Sequence, residues 1–415
     1  MMVRAGGLLL TSMLWSAWLC AIGDVRAGTP VHGARAAGMN TAFTAVADDP
    51  SAILHNPAGI TRLEGTAIYG GGSALFPVSR YRSPAGESVE TRAQVFFPPH
   101  LFLTHSLQRS RVTVGVGVYA PFGVGGRLWP DDGPTRYSAI ESYIATQAVN
   151  PALAVILTPA LSLAAGIDYV RAKNFSDTAV DQSMVGAGDA RLEMEADGDG
   201  WGYNLGLMWQ APAGFSLGLT YRSEVRVDQK GHLKLRDIAT PLQGLFGGPD
   251  FRTAARGSID LPASANLGIA WRPGGQWVID LDVEWTGWSS FQEAGIDLAQ
   301  EVPPAGLTDI TIPQDWRDVW AYKLGADCRV SERISLRAGY AFLNTPVPEA
   351  TLTPAHPDAD QHNVSLGFGW HYGPWIIDGY YNYGRFMQRE VDNTLLFGTY
   401  DNTIHYLGLS LGYWH

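Results

Sequence analysis

Trp277-Val278-Ile279-Asp280-Leu281-Asp282-Val283-Glu284-Trp285-Thr286 alternates large apolar residues with acidic ones. Successive side chains of a strand point to opposite faces, so Trp277, Ile279, Leu281, Val283 and Trp285 share one face while Asp280, Asp282 and Glu284 share the other. Three carboxylates in a row cannot sit in an apolar core without partners, and five large apolar residues do not favour water. A strand standing between lipid and a polar lumen satisfies both faces. The tryptophans at either end match the aromatic girdles of a membrane interface.

The same period recurs along the chain. Val112, Val114, Val116 and Val118 alternate with Thr113, Gly115, Gly117 and Tyr119, and Trp201, Tyr203, Leu205, Leu207 and Trp209 alternate with Gly202, Asn204, Gly206, Met208 and Gln210. Read this way, the chain predicts an all-β protein, a transmembrane antiparallel β-barrel of about 14 strands. The strands fall near residues 65–80, 92–107, 110–122, 142–157, 160–173, 200–211, 214–234, 255–272, 275–290, 319–330, 332–344, 360–372, 375–392 and 401–414. Thr158-Pro159 and Arg272-Pro273-Gly274-Gly275 read as periplasmic turns, and 174–199, 235–254, 291–318 and 345–359 as extracellular loops. A soluble β-sandwich would carry polar residues on its outward faces, the reverse of this pattern. The aromatic C-terminus, Gly412-Tyr413-Trp414-His415, lacks only the terminal Phe common in outer-membrane barrels.

The ends and the composition agree with export to a membrane. Arg4, the apolar run Gly7 to Ala21 and the cleavage pattern Val25-Arg26-Ala27 read as a signal peptide over 1–27, with a mature start at Gly28. Leu19 before Cys20 argues against lipidation, and Cys328 alone makes no intrachain disulfide. After the signal no apolar run reaches the roughly 18 residues of a spanning helix. The 48 glycines, 14 tryptophans and 17 tyrosines suit turns and girdles, and a net charge of -11 argues against nucleic acid as a partner.

Between the signal and the first strand lies Ala47-Asp48-Asp49-Pro50-Ser51-Ala52-Ile53-Leu54-His55-Asn56-Pro57-Ala58-Gly59. Asp49 can cap a short helix begun by Pro50, and Asn56-Pro57 ends it, because the residue before proline is driven out of the helical region. This predicts a small helical plug over 28–63 ahead of a barrel over 64–415. The block GARAAGMNTAFTAVADDPSAILHNPAG, Gly33 to Gly59, resembles the N-terminal hatch of the FadL/TodX family of outer-membrane transporters for hydrophobic compounds, whose hatch carries an Asn-Pro-Ala motif. Further matches are Ala120-Pro121-Phe122-Gly123, Tyr169-Val170-Arg171-Ala172-Lys173, Tyr221-Arg222-Ser223-Glu224-Val225, Trp288-Ser289-Ser290-Phe291 and Leu336-Arg337-Ala338-Gly339-Tyr340.

The resemblance implies capture by extracellular loops, a lumenal pocket above the hatch, hatch rearrangement and a sideways exit beside the third strand. Gating then falls to Asn56, Pro57, Ala58 and Gly59, coupled to the wall near Gly115 and Gly117. Those two glycines and Pro121 mark the strand that opens laterally, since both residue types in strands signal bends and close approaches. The implied cargo is a long-chain fatty acid or a comparable hydrophobic compound, taken up without an energy source by a monomer. The runner-up is an aromatic hydrocarbon; a polar-solute porin and an outer-membrane lipid hydrolase are the readings from other classes.

Other candidate residues follow from parity. Arg222, Glu224, Asp280, Asp282, Glu284, Lys323, Asp327, Arg329 and Arg337 read as inward charges, either a network bracing the wall and gripping the hatch or groups on the ligand path. Arg171 and Lys173 match a family position near that path, yet their parity continues the outer face Leu161, Leu163, Ala165, Ile167 and Tyr169. Both a substrate carboxylate and lipopolysaccharide phosphates are therefore candidate partners. Leu245, Phe246 and Phe251 lie in an apolar loop suited to capture. No H-E-x-x-H or cysteine pair is present, and Asp197-Gly198-Asp199-Gly200 lacks the remaining ligands of a calcium loop. His32, His55, His100, His105 and His405 lack metal-ligand spacing and read as packing residues. Neither catalysis, a metal nor a cofactor is expected.

Overall fold

The computed structural model describes residues 32–107, 111–122, 124–393 and 396–415. The expected signal peptide with Cys20, its cleavage site and the mature start at Gly28 lie outside these residues. Among the described residues, alternation produces 14 barrel strands. They are β1 (Thr66–Arg82), β2 (Pro99–Ser106), β3 (Val112–Tyr119, resumed at Val124–Leu128), β4 (Glu141–Thr158), β5 (Leu161–Val180), β6 (Ala190–Gln210) and β7 (Phe215–Arg222, resumed at Val225–Arg236). Then follow β8 (Phe251–Leu261, resumed at Ser264–Trp271), β9 (Trp277–Thr286, resumed at Glu293–Leu298), β10 (Ile310–Pro313, resumed at Val319–Arg329), β11 (Ile334–Leu343), β12 (Gln361–Tyr372), β13 (Trp375–Phe386, with Arg389–Val391) and β14 (Gly398–Trp414).

Each strand pairs antiparallel with the next, and β14 returns to pair with β1 from Ala67↔Trp414 to Arg82↔Thr399. Closure pairs the first and last strands of the sheet, which would otherwise present unpaired backbone groups to lipid. Along β9 the expected faces hold: Trp277 and Leu281 are exposed on the outer wall, and Asp280 and Asp282 are fully buried.

One expected loop is largely strand. β5 and β6 continue beyond 174 and before 199 as a hairpin in unbroken register to Val180↔Ala190. Its inward residues, Val180, Leu192 and Met194, join Leu233, Leu235, Phe246 and Phe251 in a separate apolar cluster. The outer face there is charged rather than lipid-like, so the apolar-outward signal that identified the other strands is absent. Segment 291–318 likewise contributes the outer ends of β9 and β10.

The N-terminal segment folds inside the barrel. It holds α1 (Ala34–Gly38), α2 (Ala52–His55) and a 3-10 turn over Pro57–Arg62. Asp49 Oδ1 accepts from the Ser51 N–H at 2.8 Å and from its hydroxyl at 2.5 Å, but α2 starts at Ala52 with Ser51 as its N-cap, so Asp49 shapes the turn ahead of the helix instead of capping it as expected. Asn56 is extended at φ -159° before Pro57 and ends α2 as expected. Ala36, Met39, Phe43, Val46, Ile53 and Ile60 are fully buried against the wall. Asn40 and Thr41 adopt φ of 55° and 57°, and Asn40 is held there by Asn363 O at 2.9 Å and Asn382 Nδ2 at 3.0 Å.

At the other end, the connection between β11 and β12 turns into the mouth. Leu352 and Thr353 are fully buried, and Trp129 Nε1 donates to Pro354 O at 2.9 Å.

Candidate functional site

The Asn-Pro-Ala corner is wedged between the rest of the N-terminal segment and the wall. Asn56 is fully buried; its Nδ2 donates to Thr44 O at 2.8 Å and to Leu207 O on β6 at 3.0 Å, and its Oδ1 accepts from the Ala58 N–H at 3.2 Å. The backbone comes this close only because β6 and β7 present glycine. A Cβ at Gly206 would stand 2.6 Å from Asn56 Oδ1, and one at Gly218 would stand 2.1 Å from Thr44 O. Within the segment, a Cβ at Gly59 would meet Ala47 O at 2.0 Å.

The glycines met by the corner itself are thus Gly206 and Gly218, while Gly115 and Gly117, to which coupling was expected, stand against the helix that leads into it. The latter two, on β3, receive Ile53 of α2: a Cβ at Gly115 would lie 2.8 Å from Ile53 Cδ1, and one at Gly117 would lie 3.1 Å from Ile53 Cγ2. The inward parity of Gly206 and Gly218 was visible in the sequence, but nothing there tied them to Asn56.

β3 is interrupted as Pro121 suggested. Its ladder to β2 stops at Leu101↔Val118, and its resumed part, Val124–Leu128, pairs with β4. Beside the interruption stands His32, whose Nε2 lies 2.7 Å from Ala120 O and 3.0 Å from Ala120 N. His55 Nε2 reaches the His32 carbonyl at 3.2 Å, and the His100 ring stands edge-on to His32 at 5.6 Å. Burial pushes His32 down to about 4 and His55 down to about 3, so both rings are neutral near pH 7. In the sequence these histidines carry only the sign of packing residues, since nothing local ties His32 to Ala120.

The inward charges form a network whose wiring differs from the expectation. Lys323 pairs with Glu284 at 2.5 Å, as anticipated. Asp282 and Asp280 instead hold the backbone of the N-terminal segment: Asp282 Oδ2 accepts from the Phe43 and Thr44 N–H groups at 2.9 and 3.0 Å, and Asp280 Oδ2 accepts from Ala45 N–H at 3.3 Å. Asp327 bridges Arg337 at 3.0 Å and Arg35 of α1 at 3.2 Å, and Arg337 also pairs with Asp378 at 2.6 Å. Arg222 pairs with Asp168 at 2.5 Å. Asp168, Asp378 and Arg35 were missed, since a single inward charge on a strand gives no local sign of its partner.

Two members leave the network. Six residues separate Arg222 from Asp228 on β7 where five separate their β6 partners Asn204 and Asp199 (228 − 222 against 204 − 199), so a bulge shifts parity and turns Glu224 outward. Arg329 is exposed and lines a periplasmic cavity of about 360 Å³ with Arg35, Asp48, Arg272, Asp327 and Asp378. Within that cavity, burial opposes charge on Asp48, yet Arg35, Arg62 and Arg272 hold its carboxyl below the usual range. Burial pushes the neighbouring Asp49 up to about 6, against the pull of Arg35.

Arg171 and Lys173 stand on the outer wall, paired with Asp197 at 3.0 Å and Glu195 at 2.8 Å of β6. No bulge turns β5 between Leu161 and Val180, so neither side chain enters the lumen. In the loop expected to capture substrate, Phe246 at the end of α3 (Thr240–Phe246) packs against Phe251 with ring centres 5.5 Å apart. Both are buried in the outer apolar cluster, and Leu245 beside them is exposed.

Comparison with known proteins places this arrangement. Residues 23–402 match the family model described as outer membrane protein transport protein (OMPP1/FadL/TodX). The long-chain fatty acid transport protein of Escherichia coli O6:H1 is 23% identical over 394 residues, covering 86% of this chain and 84% of that one. A Pseudomonas aeruginosa FadL homologue superposes with a TM-score of 0.83 at 21% identity, covering 94% of this chain and 99% of its own. The Pseudomonas putida toluene transporter TodX superposes at 0.76 with 16% identity, over 92% and 98% of the two chains. A match over nearly the whole chain, on a closed barrel of lipid-facing strands, means that this protein belongs to the FadL/TodX family of outer-membrane transport proteins.

Proposed function

We propose that the protein carries long-chain fatty acids or comparable hydrophobic compounds across the outer membrane by diffusion, with the N-terminal segment over 28–63 acting as a hatch and exit taking place sideways through the wall. The observation that carries this reading is the interruption of β3 at Ala120, where the wall lacks a ladder bond to β2 and the hatch lies directly against the gap. The family membership supports the same reading, as does the name of its fatty acid relative. Capture requires no energy source, because each buried methylene gains about 0.8 kcal/mol.

The route sideways is favoured over the route straight down. Below the hatch, the periplasmic mouth is lined by Arg35, Asp48, Arg272, Asp327, Arg337 and Asp378. An apolar chain passing there would strip hydration and partners from charged groups, at several kcal/mol each. Sideways it meets hydrocarbon at once. Gating then belongs to the corner Asn56, Pro57, Ala58 and Gly59 on one side and to Ile53 against Gly115 and Gly117 on the other.

A second reading, aromatic hydrocarbon uptake, is favoured by the buried ring cluster near the mouth, where Trp316 stacks edge-on with Trp288 at 4.8 Å and with Phe291 at 5.1 Å. Uptake of a radiolabelled fatty acid and of a labelled monoaromatic, by cells with and without the protein, separates the two. Expression that accelerates neither, with small polar solutes passing freely, would replace both with a porin.

A further inference from the structure

His32 supplies hydrogen bonding at the point where β3 has lost its neighbour. Its Nε2 faces both polar groups of Ala120, the carbonyl at 2.7 Å and the N–H at 3.0 Å. A neutral ring makes one of these bonds at a time, by tautomer, and its Nδ1 is buried without a partner among the described residues. His32 is in turn held by the hatch and by β2: His55 Nε2 reaches its carbonyl at 3.2 Å, and the Gly33 N–H donates to His100 Nε2 at 3.4 Å. We propose that His32 is the positioning residue that latches the hatch to the break in β3, and that protonation of its ring releases the latch. This deepens the transport reading above and rests on it.

Protonation places an N–H on both ring nitrogens. Nε2 then serves only the Ala120 carbonyl, the Ala120 N–H loses its acceptor, and Nδ1 becomes a charged donor with no partner in a buried site. Among the described residues, the groups facing His32 offer no compensation. They are His55 from α2, His100 from β2 and Tyr119 from β3, whose ring centre lies 6.1 Å away. Nearby, Arg222 and Lys323 add positive charge around His55, while Asp168 is engaged by Arg222 at 2.5 Å and by the Tyr119 hydroxyl at 2.9 Å. A ring at about 4 when latched and about 6.5 when free binds more protons in the released state. Acidification from about pH 7.5 to about pH 5 therefore favours release by about 30-fold.

The test uses the mature full-length protein in lipid vesicles, with amide exchange at Ala120 and Phe122 read without substrate, and release of a fluorescent fatty acid read separately. In the wild type, exchange at Ala120, corrected for its intrinsic pH dependence, rises about 30-fold between about pH 7.5 and about pH 5. His32→Ala exchanges fast at both values and releases ligand faster. His32→Gln, whose amide can donate and accept but does not titrate, restores slow exchange at both.

Equal protection of Ala120 in the wild type and in an assembled His32→Ala barrel would overturn the latch. So would a pH response in His32→Gln as large as that of the wild type; a smaller remainder belongs to His55, which burial also lowers to about 3. Should His32→Ala fail to assemble, the wild-type and His32→Gln comparison still decides. Exchange needs no substrate, so a wild type that does not move fatty acid would refute the transport reading without touching this result.

Discussion

Replacing Asn56 with alanine should loosen the hatch without opening the barrel. The substitution removes the bonds from Nδ2 to Thr44 O and Leu207 O, at 2.8 and 3.0 Å, and the bond from Ala58 N–H to Oδ1 at 3.2 Å. Each bond is worth about 1 kcal/mol net, and buried groups left without partners cost about 1–3 kcal/mol more. Partial relaxation brings the sum to about 3–4 kcal/mol, a factor of 10² to 10³ in local opening on that order. The strand ladders close on themselves through β14 and β1 and do not depend on Asn56, so heat-modifiable gel migration should be unchanged. Hydrogen exchange at Thr44 to Ala47 should accelerate by the factor given. If the corner gates transport as proposed, uptake of hydrophobic substrate should slow, because the segment loses its anchor on β6. Wild-type exchange and wild-type uptake in an assembled Asn56→Ala barrel would refute the argument; ion leakage with undiminished uptake would leave the corner a purely structural plug.

Lys323→Met strands Glu284 as a buried unpaired charge and should lower stability by about 3–5 kcal/mol in urea unfolding, while substrate competition stays as in the wild type; altered preference at unaltered stability would move the pair into the ligand path. Asp49 is pushed up to about 6 in the folded hatch, above its free value of 3.8, so its burial penalty is absent at low pH and fully present above about pH 6. Asp49→Asn keeps an acceptor for Ser51 and should therefore strengthen hatch protection by about 3 kcal/mol near pH 8 and hardly at all near pH 4, as read by amide exchange; an equal effect at both would refute the assignment. Arg171→Ala and Lys173→Ala remove exposed outer pairs, so each should change stability by less than about 1 kcal/mol and leave fatty acid uptake unaltered; a selective loss of uptake would return them to the ligand path.

Local rules made much of this protein legible from its residues. Strand parity is fixed by backbone geometry, so the alternation at Trp277 to Thr286 placed lipid on one side and charge on the other before any partner was known. The turn at Asp49 and the corner at Asn56-Pro57 are equally local, since both depend on residues within a few positions. What the tertiary structure decided lies across the lumen. Register around the closed barrel brings Asp280 and Asp282 to the N–H groups of Phe43, Thr44 and Ala45, and Asp378 to Arg337, although every one of these pairs is far apart in sequence. The bulge at Glu224 leaves no local sign, because Arg222, Glu224, Arg226 and Asp228 keep one sequence parity and Tyr221, Val225 and Val227 the other, so the alternation reads unbroken across the point where the wall turns it over. Gly206 and Gly218 read only as small residues until closure set the Asn56 corner on them, and His32 read as packing until the interruption of β3 gave it Ala120. Such meetings depend on how many strands close and in what stagger, a property of the whole ring of ladders that no single segment encodes.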